Sequence, residues 1–175
     1  MLTHPTHDRL IALGLTGMAK ALEEQRRQPD IEALSFEERL ALLVDREAIE
    51  RENKRLSNRL KFAGLRQTAT VEDADMKVAR SLDKALFAKL AAGDWIARHQ
   101  NLAIIGQTGL GKSWLACAFG NQACRQGFTT YYCTSTRLFE DIARSHADGS
   151  LPKLRRQLIK TQLLIIDDLG IGGIE

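Results

Sequence analysis

Eight consecutive residues, Gly106, Gln107, Thr108, Gly109, Leu110, Gly111, Lys112 and Ser113, have the G-x-x-x-x-G-K-S spacing of a phosphate-binding loop. Glycines at these positions let backbone N–H groups turn toward one point and cradle phosphate oxygens. A helix that starts beside them adds the positive end of its dipole. In such a loop the lysine, here Lys112, reaches the β- and γ-phosphates, and the hydroxyl of Ser113 ligates Mg²⁺. A plain glycine turn is the competing reading. It is disfavoured by context, because an apolar run at 102–105 precedes the loop and a helical stretch follows it.

A second group of residues supports the first. Leu163-Leu-Ile-Ile-Asp-Asp168 reads as a buried strand that ends in two carboxylates. The carboxyl ends of strands in open α/β sheets face the crevice where ligands bind. Asp167 is therefore the candidate for the Mg²⁺ shell, through water. Asp168 is the candidate for polarising an attacking water, a role usually filled by a longer glutamate. Asp167-Asp-Leu-Gly170 also fits the D-x-x-G pattern of GTPases. Two adjacent acids instead mark ATPases with an extra strand between loop and aspartate, and the β-rich run 128–133 supplies that strand. No guanine-reading Asn-Lys-x-Asp is present.

The remaining reactive residues have simpler roles. His99 and His146 read as surface or boundary residues, and Trp95 and Trp114 as packing residues first and site lining second. Cys117 and Cys124 read as small buried hydrophobes. With Cys133 they make three cysteines, without metal-ligand spacing, as expected of reduced thiols in a cytoplasm. Of the 175 residues, 44% are hydrophobic and 27% charged, which is the balance of a soluble globular chain. Aromatics are 6%, so the core must be aliphatic. No apolar run approaches the ~20 residues of a membrane span, and Met1–Asp8 has no apolar signal segment.

These residues need elements to position them. Leu10, Leu13, Met18 and Leu22 recur at roughly helical spacing. Ser35-Phe-Glu-Glu38 is a capping box that opens a long helix ending near Gly64. Ser81 is a plausible cap for a helix carrying Leu82, Leu86 and Leu90, which Gly93 interrupts. Strands are expected at 102–105, 128–133 and 163–166, with helices to about Gln126 and over 138–145 and a basic stretch at 153–160. Alternating strands and helices make a parallel sheet in an α/β domain. The expected division is a helical region over 1–66 and a P-loop core over 67–175.

Net charge is +3, with much of the excess in one place. Between Arg46 and Arg66 seven bases face three acids. At 100° per residue Arg51, Arg55, Arg59 and Arg66 fall on one flank of the long helix, beside its apolar stripe. Two readings stay open. The flank is either a solvated face with pairs such as Glu47–Arg51, or a contact surface for nucleic-acid phosphates.

Taken together, the segments 106–118, 122–127 and 163–168 resemble the IstB family. So do the opening Leu-Thr-His-Pro-Thr, Gly-Met-Ala at 17–19, Ser-Phe-Glu-Glu-Arg-Leu at 35–40, and Asp45-Arg-Glu with Arg51-Glu-Asn. The resemblance runs from residue 2 to about residue 170. It implies an AAA+ type P-loop NTPase, related to the helicase loader DnaC, with a helical N-terminal region. It also implies ATP and Mg²⁺ as ligands, duplex DNA and a transposase as partners, and a homo-oligomer. Positions 106–113 correspond to Walker A and 163–168 to Walker B.

The family continues beyond the Walker B strand, with a sensor strand, an arginine finger and a lid, whereas this sequence stops at Glu175. That reads as a truncated or decayed copy with impaired hydrolysis. In the family's strand order the next strand lies between those expected at 102–105 and 163–166, so their facing edges should lack partners. Three functions follow: an ATP-dependent transposition helper, a nucleotide- or DNA-binding remnant without turnover, and a helicase loader, which the IstB-specific segments disfavour.

Overall fold

A computed structural model describes residues 4–75 and 83–169. By compactness the chain divides into Met1–Ser57 and Asn58–Glu175.

In the first unit, α1 (Pro5–Ala12) starts at His4, whose ring accepts from the Thr6 N–H, with proline in the first turn. Gly14, at φ +73, turns the chain into α2 (Thr16–Gln25). No local side chain caps α2. Its cap comes from α3 (Phe36–Ala63), where the Glu47 carboxylate accepts from the N–H groups of Gly17 (2.7 Å) and Met18 (3.2 Å). This requires a close helix crossing. A Cβ at Gly17 would lie 2.7 Å from Glu47 Cα and 2.8 Å from the Arg46 carbonyl oxygen. Ala19 and Ala21 are also buried. The expected capping box is formed: Glu38 accepts from the Ser35 N–H at 2.8 Å, and the Ser35 hydroxyl accepts from the Glu38 N–H at 3.3 Å. Gly64, at φ +59, follows the helix end as expected.

The second unit includes the last turns of α3. Next come α4 (Lys84–Ala91) and the single turn α5 (Asp94–Ala97), separated by left-handed Gly93. Asp83 caps α4, accepting from the Ala85 N–H, whereas the cap expected at Ser81 lies outside the described residues. Then follow α6 (Lys112–Arg125), β1 (Thr130–Thr134), α7 (Ser135–Ala147), α8 (Leu151–Lys160) and β2 (Leu163–Asp167). The two strands run parallel, with Thr130 opposite Leu163 and Thr134 opposite Asp167.

Buried α6 residues pack against these strands. Cys117 and Ala118 cluster with Tyr132 and Ala69, and Ala123 with Ile96 and Leu163. A Cβ at Gly120 would come within 2.8 Å of Ile165 and 2.9 Å of Leu65, so glycine there lets α6 approach the sheet. All three cysteines are buried and free.

One expected strand is not formed. Residues 102–105 have no ladder partner among the described residues, and Ile105 is 92% exposed. An apolar, β-branched run becomes a strand only when a neighbour takes up its N–H and C=O groups, and β2 is paired with β1. The observed architecture is an α/β P-loop fold with an incomplete, two-stranded parallel sheet.

Candidate nucleotide site

Residues 106–110 of the loop are exposed and Gly111 is half-buried. Gly109 and Gly111 are left-handed, at φ +86 and +83. At Gly109 a Cβ would meet nothing within 4 Å, so the glycine is required by its dihedral and not by space. Gly111 occupies the cap position of α6 and provides no side-chain acceptor. The first α6 amide bonded within this turn is that of Leu115, to the Gly111 carbonyl at 2.9 Å. The amides before it stand at the positive end of the helix dipole, the arrangement that accepts an anion. Lys112 Nζ donates to the Gln107 carbonyl at 2.8 Å, so the ammonium lies over its own loop.

Opposite the loop is the carboxyl end of β2. The Asp167 carboxylate accepts from the Tyr132 hydroxyl at 2.6 Å and the Asp168 N–H at 2.9 Å. Burial raises its pKa. The nearby Ser113 hydroxyl, the Tyr132 hydroxyl, the Asp168 N–H and the Arg66 charge outweigh burial and hold it below the ordinary value. Tyr132 is shifted the other way, its phenol pushed well up by burial and then by the Asp167 carboxylate. Asp168 is left-handed at φ +55. Its carbonyl accepts from Ser135 Oγ at 2.8 Å, and its carboxylate lies 3.6 Å from Arg66 Nη1.

Loop and strand end border one cavity of about 830 Å³, a size suited to a small-molecule ligand. Its walls include Thr108, Lys112, Ser113, Asp167 and Asp168, with Trp95 and His99 further along. The folding therefore joins the residues 106–113 with Asp167 and Asp168. No group of three or more His, Cys, Asp or Glu that could hold a metal occurs among the described residues. Mg²⁺ on a phosphate loop needs fewer protein ligands, one hydroxyl and one carboxylate, with phosphate and water oxygens for the rest. Ser113 and Asp167, which line the same cavity, fit that donor set.

The four arginines expected on one flank do not share one. Arg66 lies beyond the end of α3 at Ala63 and past the Gly64 turn, so helical periodicity does not apply to it, and its guanidinium is at Asp168. Arg59 Nε donates to the Cys124 carbonyl at 2.8 Å, at the C-terminal end of α6 where a cation is favoured. Arg51 Nε donates to Glu47 at 2.7 Å, and Arg55 lies 3.6 Å from Glu52. The sequence reading missed Tyr132 and Ser135. Neither belongs to a motif, and only the parallel register places Tyr132 opposite Ile165, two positions from Asp167.

Comparison with known proteins gives this geometry its context. The family model described as IstB-like ATP binding protein matches residues 8–175. The chain belongs to the IstB-like ATP-binding protein family. Its IstB-like relatives include the insertion sequence ATP-binding protein y4pL of Sinorhizobium fredii, which is 50% identical over 98% of this chain and 70% of its own length. The ATP-binding protein of insertion sequence IS1162 from Pseudomonas fluorescens is 47% identical, over 100% of this chain and 76% of its own. A second Sinorhizobium fredii protein, y4uH, is 43% identical over 100% and 71%. Among the described residues of this IstB-like chain no helix is long and apolar enough to cross a membrane.

Proposed function

We propose that this chain binds ATP with Mg²⁺ at the 106–113 loop and serves as a DNA-bound helper of a transposase. The observation that carries the nucleotide part is the placing of Ser113 and Asp167 on one cavity beside a glycine loop that starts a helix. The loop amides and Lys112 hold the phosphates. Ser113 and Asp167 would hold the cation, which would supply positive charge to neutralise the phosphates. Lys112 must leave the Gln107 carbonyl to reach a phosphate, exchanging a neutral acceptor for a charged one. Asp168 is the residue available to orient a water. The names of the relatives, which are insertion-sequence ATP-binding proteins, support the transposition setting. DNA would be taken up on basic helical surface, Arg51 and Arg55 of α3 included, and a transposase would be the protein partner.

A second reading has its own support. Asp168 is held beside Arg66 and has a shorter reach than glutamate, which favours nucleotide binding over turnover. On that reading the chain is a nucleotide- and DNA-binding module.

Titration with a fluorescent ATP analogue tests the shared core of both. Lys112→Ala should weaken binding by about 10- to 100-fold, since it removes a charge-assisted contact worth about 1.5–3 kcal/mol. Equal affinity for the two proteins would remove the loop from the account. Steady-state hydrolysis with and without duplex DNA then separates the helper ATPase from the module.

A further inference from the structure

Tyr132 belongs to none of the motifs above, yet it makes the shortest contact with the carboxylate on which the nucleotide reading depends. Its ring is buried, with 8% of the residue exposed, in the cluster with Cys117 and Ala118. Its hydroxyl passes over one register position and donates to Asp167 Oδ2 at 2.6 Å. The other oxygen, Oδ1, accepts from the Asp168 N–H at 2.9 Å. Both oxygens of Asp167 are thus tethered, which fixes the plane of the carboxylate on the cavity it shares with Ser113. A carboxylate has about four lone-pair sites, so two tethers leave sites for a cation.

Arg66 completes the arrangement. The phenol gives its one proton to Asp167, and Arg66 stands 3.6 Å from the neighbouring Asp168 carboxylate. Leu65, the neighbour of Arg66, is packed against the same buried cluster, which anchors the backbone beside Arg66. A buried tyrosine hydroxyl usually finds a hydrogen-bond partner. Here that partner is the strand-end carboxylate itself.

Resting on the nucleotide reading, we infer that Tyr132, backed by Arg66, is a positioning residue for Mg²⁺. It holds Asp167 so that this carboxylate and Ser113 form a preformed pair of ligands. Partners that orient a metal ligand typically change metal affinity by about 10–100-fold when removed.

The test uses the full chain and reads metal rather than turnover. Binding of a fluorescent ATP analogue is titrated with Mg²⁺, and Mn²⁺ uptake in the presence of nucleotide is followed by electron paramagnetic resonance. Tyr132→Phe, which keeps the ring in its cluster, should raise half-saturating Mg²⁺ and Mn²⁺ about 10-fold or more while leaving affinity in EDTA within about twofold. Arg66→Ala should shift the same midpoint in the same direction by less, and Asp167→Asn sets the upper limit. A metal midpoint for Tyr132→Phe equal to that of the wild type would overturn the inference, as would an equal loss of affinity in EDTA. If Tyr132→Phe does not fold, the midpoint of Arg66→Ala decides. If wild-type nucleotide binding ignores Mg²⁺, the nucleotide reading itself fails. A Mg²⁺-dependent wild type with an unshifted variant defeats only the role of Tyr132.

Discussion

At the scale of single residues, Glu47 shows how a side chain does work that its own helix does not need. It is 6% exposed and caps α2 from α3, with Arg51 on its other oxygen. The Arg51 hydrogen bond lowers its pKa most. Burial opposes this, and the Met18 and Gly17 amides add to the lowering, so the folded value lies below the ordinary 4.5. A lowered carboxylate pKa contributes stability that is fully present above the unfolded pKa and is lost as pH falls through the folded one. The wild-type melting temperature should therefore fall more steeply below about pH 4.5 than that of Glu47→Gln, which has no such charge to lose. Parallel melting curves for the two would assign the acid sensitivity to other carboxylates. The capping box Ser35–Glu38 was legible because both partners lie within one turn. The Glu47 cap joins residues 30 apart, a distance that local patterning does not span.

At the scale of elements, the basic helices differ in how much of their charge is already answered. On α3 Arg51 and Arg55 sit beside Glu47 and Glu52, whereas α8 carries Lys153, Arg155, Arg156 and Lys160 with no acid. Each lysine or arginine on a DNA phosphate contributes about one unit to the slope of log K against log salt. Replacing Lys153 and Lys160 with alanine should lower that slope by about two, and replacing Arg51 and Arg55 by clearly less, in duplex titrations across a salt series. The reverse order would return the phosphate contacts to α3. Composition alone ranked α3 first. The i,i+4 and i,i+3 pairs that offset it were partly visible in the sequence, and so was the helix end near Gly64 that takes Arg66 off the flank, whereas its place beside Asp168 was not. The left-handed turns at Gly109 and Gly111 were legible, since only glycine adopts them freely.

At the scale of the whole molecule, the sheet is the least complete part. β2 is paired along one edge by β1, and Leu164, Ile166 and Ile105 stay exposed among the described residues. The run 102–105 has the composition of a strand, but a strand also needs a neighbour, and no window of sequence states which neighbour is present. Hydrogen exchange should show this directly. Amides at 102–105 should exchange near intrinsic rates while those joining β1 to β2 are protected. Protection at 102–105 in solution would mean that a partner strand is supplied there, by this chain or by another copy. Exposed apolar groups beside an unpaired edge are also a template for association, so dilution is a necessary control.

The left-handed backbone at Asp168 has a consequence for how this site can drift. Asparagine and aspartate tolerate that conformation far better than most residues, and glycine adopts it freely. Codons for asparagine and glycine each lie a single base change from those of aspartate. Both replacements keep the turn and discard the charge. Glutamate, also one base away, keeps the charge but sits less easily on the turn. Mutation at this codon therefore finds an uncharged strand end more readily than a longer acid.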